Sequence, residues 1–311
     1  MRDCPRRTFL KTLALGGAAL KLGPFAWDVL AAASGPALSI AHYRSSPKEP
    51  DGIAEESQRL TREAIAGLGG MQRFVNRGDI VWVKPNIGWN RRPEQAATTN
   101  PDVVATIVAL CYQAGAKRVI VSDNSCNPAV TSFARSGIQE AAQKAGADCF
   151  VMDDRKFKST KLNGKVLPAW DVYADALGAN KFINVPIAKH HGLCKATLGI
   201  KNLMGVVGGE RNRFHQDLGN TLVDLAAFFR PNLVVLDGVR VLTANGPTGG
   251  NLADVQRRDT VVAGVDQVAV DSFGTTLLGL KPQDINYIVE ASNRKLGTMD
   301  YESLKPRRAE L

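Results

Sequence analysis

Between residues 79 and 152 the chain alternates short β-rich runs with helical patterns, and no other feature restricts its fold as strongly. Residues 79–85 (Asp-Ile-Val-Trp-Val-Lys-Pro) read as a strand. Residues 101–114 read as a helix, with Asn100 as its cap and Pro101 at the first helical position, where the missing N–H costs nothing. Residues 118–123 read as the next strand. Strands joined by a helix in this way form β-α-β units, and such units assemble parallel sheets. A helix over 132–145, ending at Gly146, and a strand over 147–152 continue the alternation. The lysine-rich stretch 155–170 carries Asn163-Gly164 between two short β-prone pieces and predicts a surface hairpin. Beyond it the pattern predicts a short helix over 171–177, a strand over 181–186, and a helix over 220–229. Strands over 232–237 and 260–266 and helices over 268–278 and 283–295 complete the pattern. The expected fold class is α/β, a predominantly parallel sheet with flanking helices. Residues 34–311 are expected to form one unit, with the neighbourhood of residue 180 as the place where it would divide into two lobes.

Residues 1–33 contain Arg6-Arg7-Thr8-Phe9-Leu10-Lys11, a weakly apolar stretch over 12–23, and Ala31-Ala32-Ala33. A basic head, a short apolar middle and a small-residue cleavage region make a secretory signal, and paired arginines followed by Phe-Leu-Lys predict its twin-arginine (Tat) variant. Gly16, Gly17, Lys21 and Gly23 leave the middle too short and too polar for a bilayer span of about 20 apolar residues. The expectation is a periplasmic or otherwise exported protein, delivered by the Tat translocation machinery, cleaved near Ala33 and keeping no transmembrane anchor.

Removing that segment takes five basic and two acidic residues from 39 and 30, which leaves 34 and 28, a net charge of +6. A modest positive balance favours small anionic ligands. No stripe of arginines interleaved with aromatics is present, so no nucleic-acid partner is expected. With 44% hydrophobic and 6% aromatic residues, the composition excludes disordered, fibrous and membrane-bundle classes. Cys111, Cys126, Cys149 and Cys194 form no Cys-x-x-Cys pair, so no zinc ribbon or iron–sulfur motif is encoded. Cys111 and Cys149 lie in apolar runs and read as small hydrophobes. Cys126 and Cys194 fall in loops and read either as inert or as reactive, metal-facing thiols.

Open α/β sheets bind ligands beyond the C-terminal ends of their strands. Lys84, Asn86, Asp123, Asn124, Asp237 and Asp266 all fall at such ends. Any one of them by itself reads more readily as a cap or turn former, and their recurrence is the signal. The densest constellation is 184–195 followed by 200–215. It holds His190, His191 and His215, and Lys189, Lys195, Lys201, Arg211 and Arg213 against Glu210, with glycines at 192, 199, 205, 208 and 209. One reading is an anion pocket, in which lysines, arginines and backbone N–H groups hold a carboxylate or phosphate and a desolvated lysine or histidine moves a proton. A second is a divalent-metal site with His191, His215 and one of Asp123, Asp237 or Cys194, although the spacing matches no zinc signature. The plain alternative is a solvated basic loop. His42 reads as a surface histidine.

At these residues the chain resembles the family of domain of unknown function 362. The resemblance rests on Val83-Lys84-Pro85-Asn86, the Asn100-Pro101 helix start, the strand ending at Asp123, Asn184-Val-Pro with Lys189-x-His191, and Ile200-Lys201-Asn202-x-x-Gly205. It continues through His215, Val235-Leu236-Asp237, Gly246-Pro247-x-x-Gly249, and Asp266 with Val270-Asp271. Some relatives carry a ferredoxin-like iron–sulfur module, and none is expected here. The position between lysine and histidine usually holds a small residue and here is His190; the pattern implies that His191 takes the family's role. With the anion reading, Lys201, His191 and His215 become the catalytic candidates. Lys84, Asn86, Lys189, Asn202 and Arg211 are the substrate-binding candidates, and Asp123, His191, His215 and Asp237 the metal candidates. Three functions fit this set: an exported enzyme with a small anionic substrate, a metal-bearing redox accessory, and a non-catalytic anion-binding protein.

Overall fold

Strands whose two faces are both apolar need cover above and below, and this chain supplies it by alternating them with helices. The computed structural model describes residues 35–44 and 53–311; the expected leader, residues 1–33, lies outside the described residues. In chain order the first half comprises β1 (Leu38–His42), α1 (Ile53–Ala66), β2 (Ile80–Pro85), α2 (Pro101–Gln113), β3 (Arg118–Val121), α3 (Ala129–Arg135), α4 (Ile138–Lys144), β4 (Asp148–Cys149), β5 (Phe157–Lys161), β6 (Ala169–Tyr173) and α5 (Ala174–Leu177). The second half comprises β7 (Lys181–Val185), β8 (Ile187–His191), β9 (Lys195–Thr197), α6 (Gly199–Asn202), α7 (Leu218–Phe229), β10 (Leu233–Leu242), β11 (Val255–Gly264), α8 (Gln267–Leu277), α9 (Asn286–Asn293) and β12 (Arg307–Glu310). The main sheet runs β12-β1-β11-β10-β7-β2-β3-β4, with β8 and β9 attached beside β10. From β10 to β4 every neighbouring pair is parallel, in agreement with the expected α/β class.

Side-chain alternation sends successive residues of each strand to opposite cores. Trp82, Phe182, Val234 and Leu236 pack on one face under α7, α8 and α9. Val81, Val83, Ile183 and Val235 pack on the other under α1, α2 and α4. Strand β7, which begins just after residue 180, pairs with β2 on one side and β10 on the other.

Several elements differ from the sequence expectation for local reasons. The helix over 132–145 is two helices, because Gly137 adopts φ 71° and leaves the right-handed path. Strand β6 continues through Tyr173, so the helix expected from 171 starts at 174. Strands β1 and β11 and the pair β10–β11 run antiparallel, which makes the sheet mixed at one side. The return from β10 to β11 needs no crossover helix, only the connection around 243–254. Segment 187–197, read as loop, is the antiparallel hairpin β8–β9. Pro186 has no N–H to give to a ladder and separates β7 from β8, while its carbonyl still accepts from Asp237 N–H at 2.9 Å. His42 lies on β1 with Nε2 3.9 Å from Glu310.

One carboxylate pins the turn of the hairpin β5–β6, which also bonds Gly208 through the Asp171 carbonyl and the Trp170 indole N–H. Asp224 on α7 accepts from the backbone N–H groups of Lys165, Val166 and Leu167 at 2.9, 2.7 and 2.9 Å, and the Arg294 guanidinium lies 2.7 Å from it. Burial pushes the carboxyl up, but the three N–H groups and Arg294 outweigh it and hold Asp224 below the usual carboxylate range. This stabilisation is complete above the unfolded-state value of about 3.9 and is lost as pH falls through the lower folded-state value. Asp224→Ala is expected to lower unfolding free energy by about 3 kcal/mol at pH 7 and to flatten the acid limb of the stability curve in urea titrations. An unchanged acid limb would show that the hairpin is held by other contacts.

Candidate active site

Four of the six polar residues at the strand ends, Lys84, Asn86, Asp123 and Asn124, line one cleft of ≈ 820 Å³, whereas Asp266 caps α8 by accepting from Val268 and Ala269 N–H at 2.9 Å each. Strand β2 delivers Lys84 and the following Asn86, the loop after β3 delivers Asp123, and β8 delivers Lys189 and His191. Helix α6 brings Lys201 and Asn202, and segment 203–217 closes the far side with Arg211 and His215. Nine of the ten site residues named from the sequence line this cleft; Asp237 does not. Strand alternation turns His191 into it and sends His190 the other way, where His190 Nδ1 accepts from Gly246 N–H at 3.0 Å.

Three asparagines organise the floor. Asn202 Oδ1 accepts from Lys84 Nζ at 2.7 Å and from Asn86 Nδ2 at 3.1 Å. Its Nδ2 donates to the Lys84 carbonyl at 3.2 Å and to Asn184 Oδ1 at 2.9 Å, and Asn184 Nδ2 donates to the Gly199 carbonyl at 2.8 Å. Each amide thus has one orientation that satisfies its neighbours, a fully connected buried network. Asn86 Oδ1 is left to accept from Lys189 Nζ at 3.1 Å, which also donates to the Ala97 carbonyl at 2.5 Å.

The lysines differ in their partners. Lys84 and Lys189 are each 1% exposed and Lys201 is 9% exposed. Lys84 Nζ lies 2.9 Å from Asp123 Oδ1, whose other oxygen accepts from Ile87 N–H at 2.6 Å. Burial lowers the Lys84 pKa and Asp123 opposes the shift. Lys189 has no carboxylate in contact, and burial brings its pKa down to about 7. Lys201 Nζ meets the Met204 thioether at 2.8 Å and, among the described residues, no oxygen acceptor; burial lowers its pKa as well. Helix α6, which carries it, is anchored by Asp271 of α8. That carboxylate accepts from Gly199 N–H at 2.7 Å and Ile200 N–H at 2.9 Å, and burial pushes its pKa up to about 7.

His191 Nδ1 accepts from Leu193 N–H at 3.1 Å, so the ring hydrogen sits on Nε2. Burial, followed by the charges of Lys201 and Lys189, takes its pKa down to about 3, and the ring is a neutral hydrogen-bond donor. This differs from the expectation that His191 moves a proton. His215 is exposed, and its Nδ1 donates to the Asn212 carbonyl at 3.0 Å, which leaves Nε2 as an acceptor. Arg211 is committed largely to the protein, donating to the carbonyls of Asn124 at 2.9 Å and Ser125 at 3.2 Å.

Of the four metal candidates, Asp123, His191 and His215 line the cleft and Asp237 does not. Asp237 Oδ2 accepts from Asn100 N–H at 2.7 Å and its Oδ1 from Val239 N–H at 3.0 Å, which ties the start of α2 to β10 away from the cleft. Asp123 is engaged by Lys84 and Ile87. Among the described residues no group of three or more His, Cys, Asp or Glu side chains is placed to hold a metal ion. Cys194, the alternative ligand, donates to the Ala196 carbonyl at 3.2 Å, and burial pushes its thiol up to about 11. Sequence reasoning named neither Asn184 nor Asp271 as a site residue. The signal was a polar side chain inside an otherwise apolar buried element.

A family model described as Domain of unknown function (DUF362) matches residues 81–276. A thylakoid-associated protein of Synechocystis sp. is 29% identical over 297 residues, covering 88% of this chain and 82% of that protein. Among solved structures, the lactate racemase apoprotein of Thermoanaerobacterium thermosaccharolyticum matches 76% of this chain and 56% of its own length, at 10% identity and a TM-score of 0.47. A Thermotoga maritima chain named as a candidate alcohol dehydrogenase matches 43% of this chain and 25% of its own length, at 22% identity and a TM-score of 0.23. This chain therefore spans about half and a quarter of those two structures, and neither likeness bears on substrate or reaction.

Gly205 shows how tightly the floor is built. A Cβ there would sit 1.7 Å from Asp123 Oδ1 and 2.6 Å from Lys84 Nζ. Gly205→Ala is expected to push the ion pair apart and to cost about 1–3 kcal/mol of stability, read from urea denaturation. Unchanged stability would mean that Asp123 and Lys84 can relax without loss.

Proposed function

The chain belongs to the family of domain of unknown function 362, and in this fold we propose that it is an exported enzyme acting on a small molecule with a carboxylate or phosphate. The observation that carries this reading is Lys201, a buried ammonium lining the cleft with only a thioether for a partner among the described residues. A buried cation without an anion is costly, and a ligand carboxylate or phosphate supplies strong charge-assisted hydrogen bonds. Lys189 and Lys84 add positive potential, and Asp123 neutralises one charge of the three.

Lys189 is the group that moves the proton. Near neutral pH its amine is partly uncharged. The two hydrogens of the neutral form satisfy Asn86 Oδ1 and the Ala97 carbonyl, which leaves the nitrogen lone pair for the substrate. His191 Nε2–H donates to the substrate oxygen, and His215 Nε2 at the mouth accepts a proton on the other side. The leader pattern over 1–33 supports export by the Tat machinery into the periplasm or beyond.

Proton NMR of small carboxylates and phosphate esters incubated with the protein in D2O tests the reaction, read as exchange at the carbon beside the anionic group. Exchange is expected for one class of the panel, with a rate that rises as pH passes through about 7 because the neutral amine is the base. Lys189→Met is expected to abolish exchange while calorimetric binding persists, and Lys201→Met to weaken binding at least about thirtyfold. Binding without exchange across the panel overturns the enzyme in favour of an anion-binding protein. Binding indifferent to Lys201→Met removes the anion assignment. Changing Arg6 and Arg7 to lysine is expected to retain the precursor in the cytoplasm, and unaltered export on cell fractionation would remove the leader reading.

A further inference from the structure

We propose that Cys126 is a nucleophile of this cleft, forming a covalent bond with electrophiles whose carboxylate or phosphate is held at Lys201. The inference rests on the anion-binding reading above. Cys126 is a free, exposed thiol that lines the cleft. Its loop is held from both sides: Cys126 N–H donates to the Gly88 carbonyl at 2.9 Å, and the carbonyls of Asn124 and Ser125 accept from Arg211. Cys126 lines this cleft together with Lys84, Lys189 and Lys201. A thiolate formed there shares the cleft with Lys201, and it is the thiolate that attacks. Lys201 independently points to an anionic ligand in the same space, since its ammonium has no oxygen partner among the described residues.

The other described thiols are built differently. Cys111 and Cys149 are buried in the core, and Cys194 is tied to a carbonyl; burial pushes all three up. They serve as controls within the same molecule. In the bond-forming step the sulfur–carbon bond forms as the carbon–leaving-group bond breaks, the leaving group departs with its electron pair, and the thiol proton passes to water. No oxidant or further reactant is needed.

The test compares alkylation by iodoacetate, which is anionic, with alkylation by neutral iodoacetamide, at pH 7 and at peptide resolution by mass spectrometry. The same protein unfolded in urea supplies the reference ratio for an unbiased cysteine. At Cys126 the folded protein is expected to raise the iodoacetate-to-iodoacetamide rate ratio about tenfold above that reference. Inorganic phosphate should suppress the rise, Lys201→Met should remove it, and Lys201→Arg, which keeps the charge, should preserve most of it. A folded ratio equal to the unfolded one, or a raised ratio that survives Lys201→Met, overturns the proposal. If the ratio is flat while calorimetry still shows Lys201-dependent phosphate binding, the nucleophile alone is lost. If phosphate neither binds nor protects, the anion-binding reading fails with it.

Discussion

The buried contact between Lys84 and Asp123 holds the site together. Lys84 closes β2 and Asp123 follows β3, so the pair links the ends of two adjacent parallel strands at the edge where the cleft opens. Taking both charges out of water costs several kcal/mol per ion, and attraction offsets that cost only when the remaining polar atoms are satisfied. Here Asn202 accepts from the ammonium and Ile87 N–H donates to the carboxylate. The same pair requires the chain at 205 to have no side chain, so it also positions segment 203–206 over the strand ends. Asn202, one turn earlier, belongs to the same network.

From that contact the three lysines take different roles although they share one cavity. Lys84 is neutralised and structural. Lys189 is bound to two neutral acceptors and carries no paired anion, so burial acts on it almost unopposed. Lys201 has a thioether as its side-chain partner, and burial lowers its pKa, so it is the lysine with room for an anionic ligand. Burial, and after it the surrounding charges, keeps His191 neutral, and its backbone partner places its hydrogen on Nε2. Equivalent residue types are thus separated by their contacts rather than by their position in the chain.

Much of this was readable from residues. The β2-α2-β3 unit, the Asn100 cap and the apolar strands β7 and β10 follow from local chemistry, since both faces of those strands are apolar and the cap side chain accepts from Asp102 N–H at 2.9 Å. Lys84, Asp123 and Lys201 stood out because charged residues beside apolar strands are expensive unless they have a purpose. Strand β11 was read over 260–266, but its antiparallel pairing was not legible and strands β1 and β9 were not read, because pairing depends on which strands meet, and no local pattern records that. The role of Asp237 was misread for the same reason. A carboxylate at a strand end can face the ligand crevice or cap a neighbouring helix, and α2 arrives over it to take its oxygens.

The amino-acid sequence by itself determined the alternating α/β framework, the basic glycine-rich segment that would carry the site, and the residues able to do acid–base chemistry. Periodicity, capping and side-chain type are properties of short stretches and survive without any tertiary contact. Only the tertiary structure decided which lysine lacks an oxygen partner, which histidine faces the cleft, and that Asp237 lies away from the other metal candidates. Those outcomes depend on desolvation and on neighbours that the fold brings in, as with Asn86 and Lys189, which are 103 residues apart. A partner that distant is set when the sheet assembles, and the pKa and direction of each group are set with it.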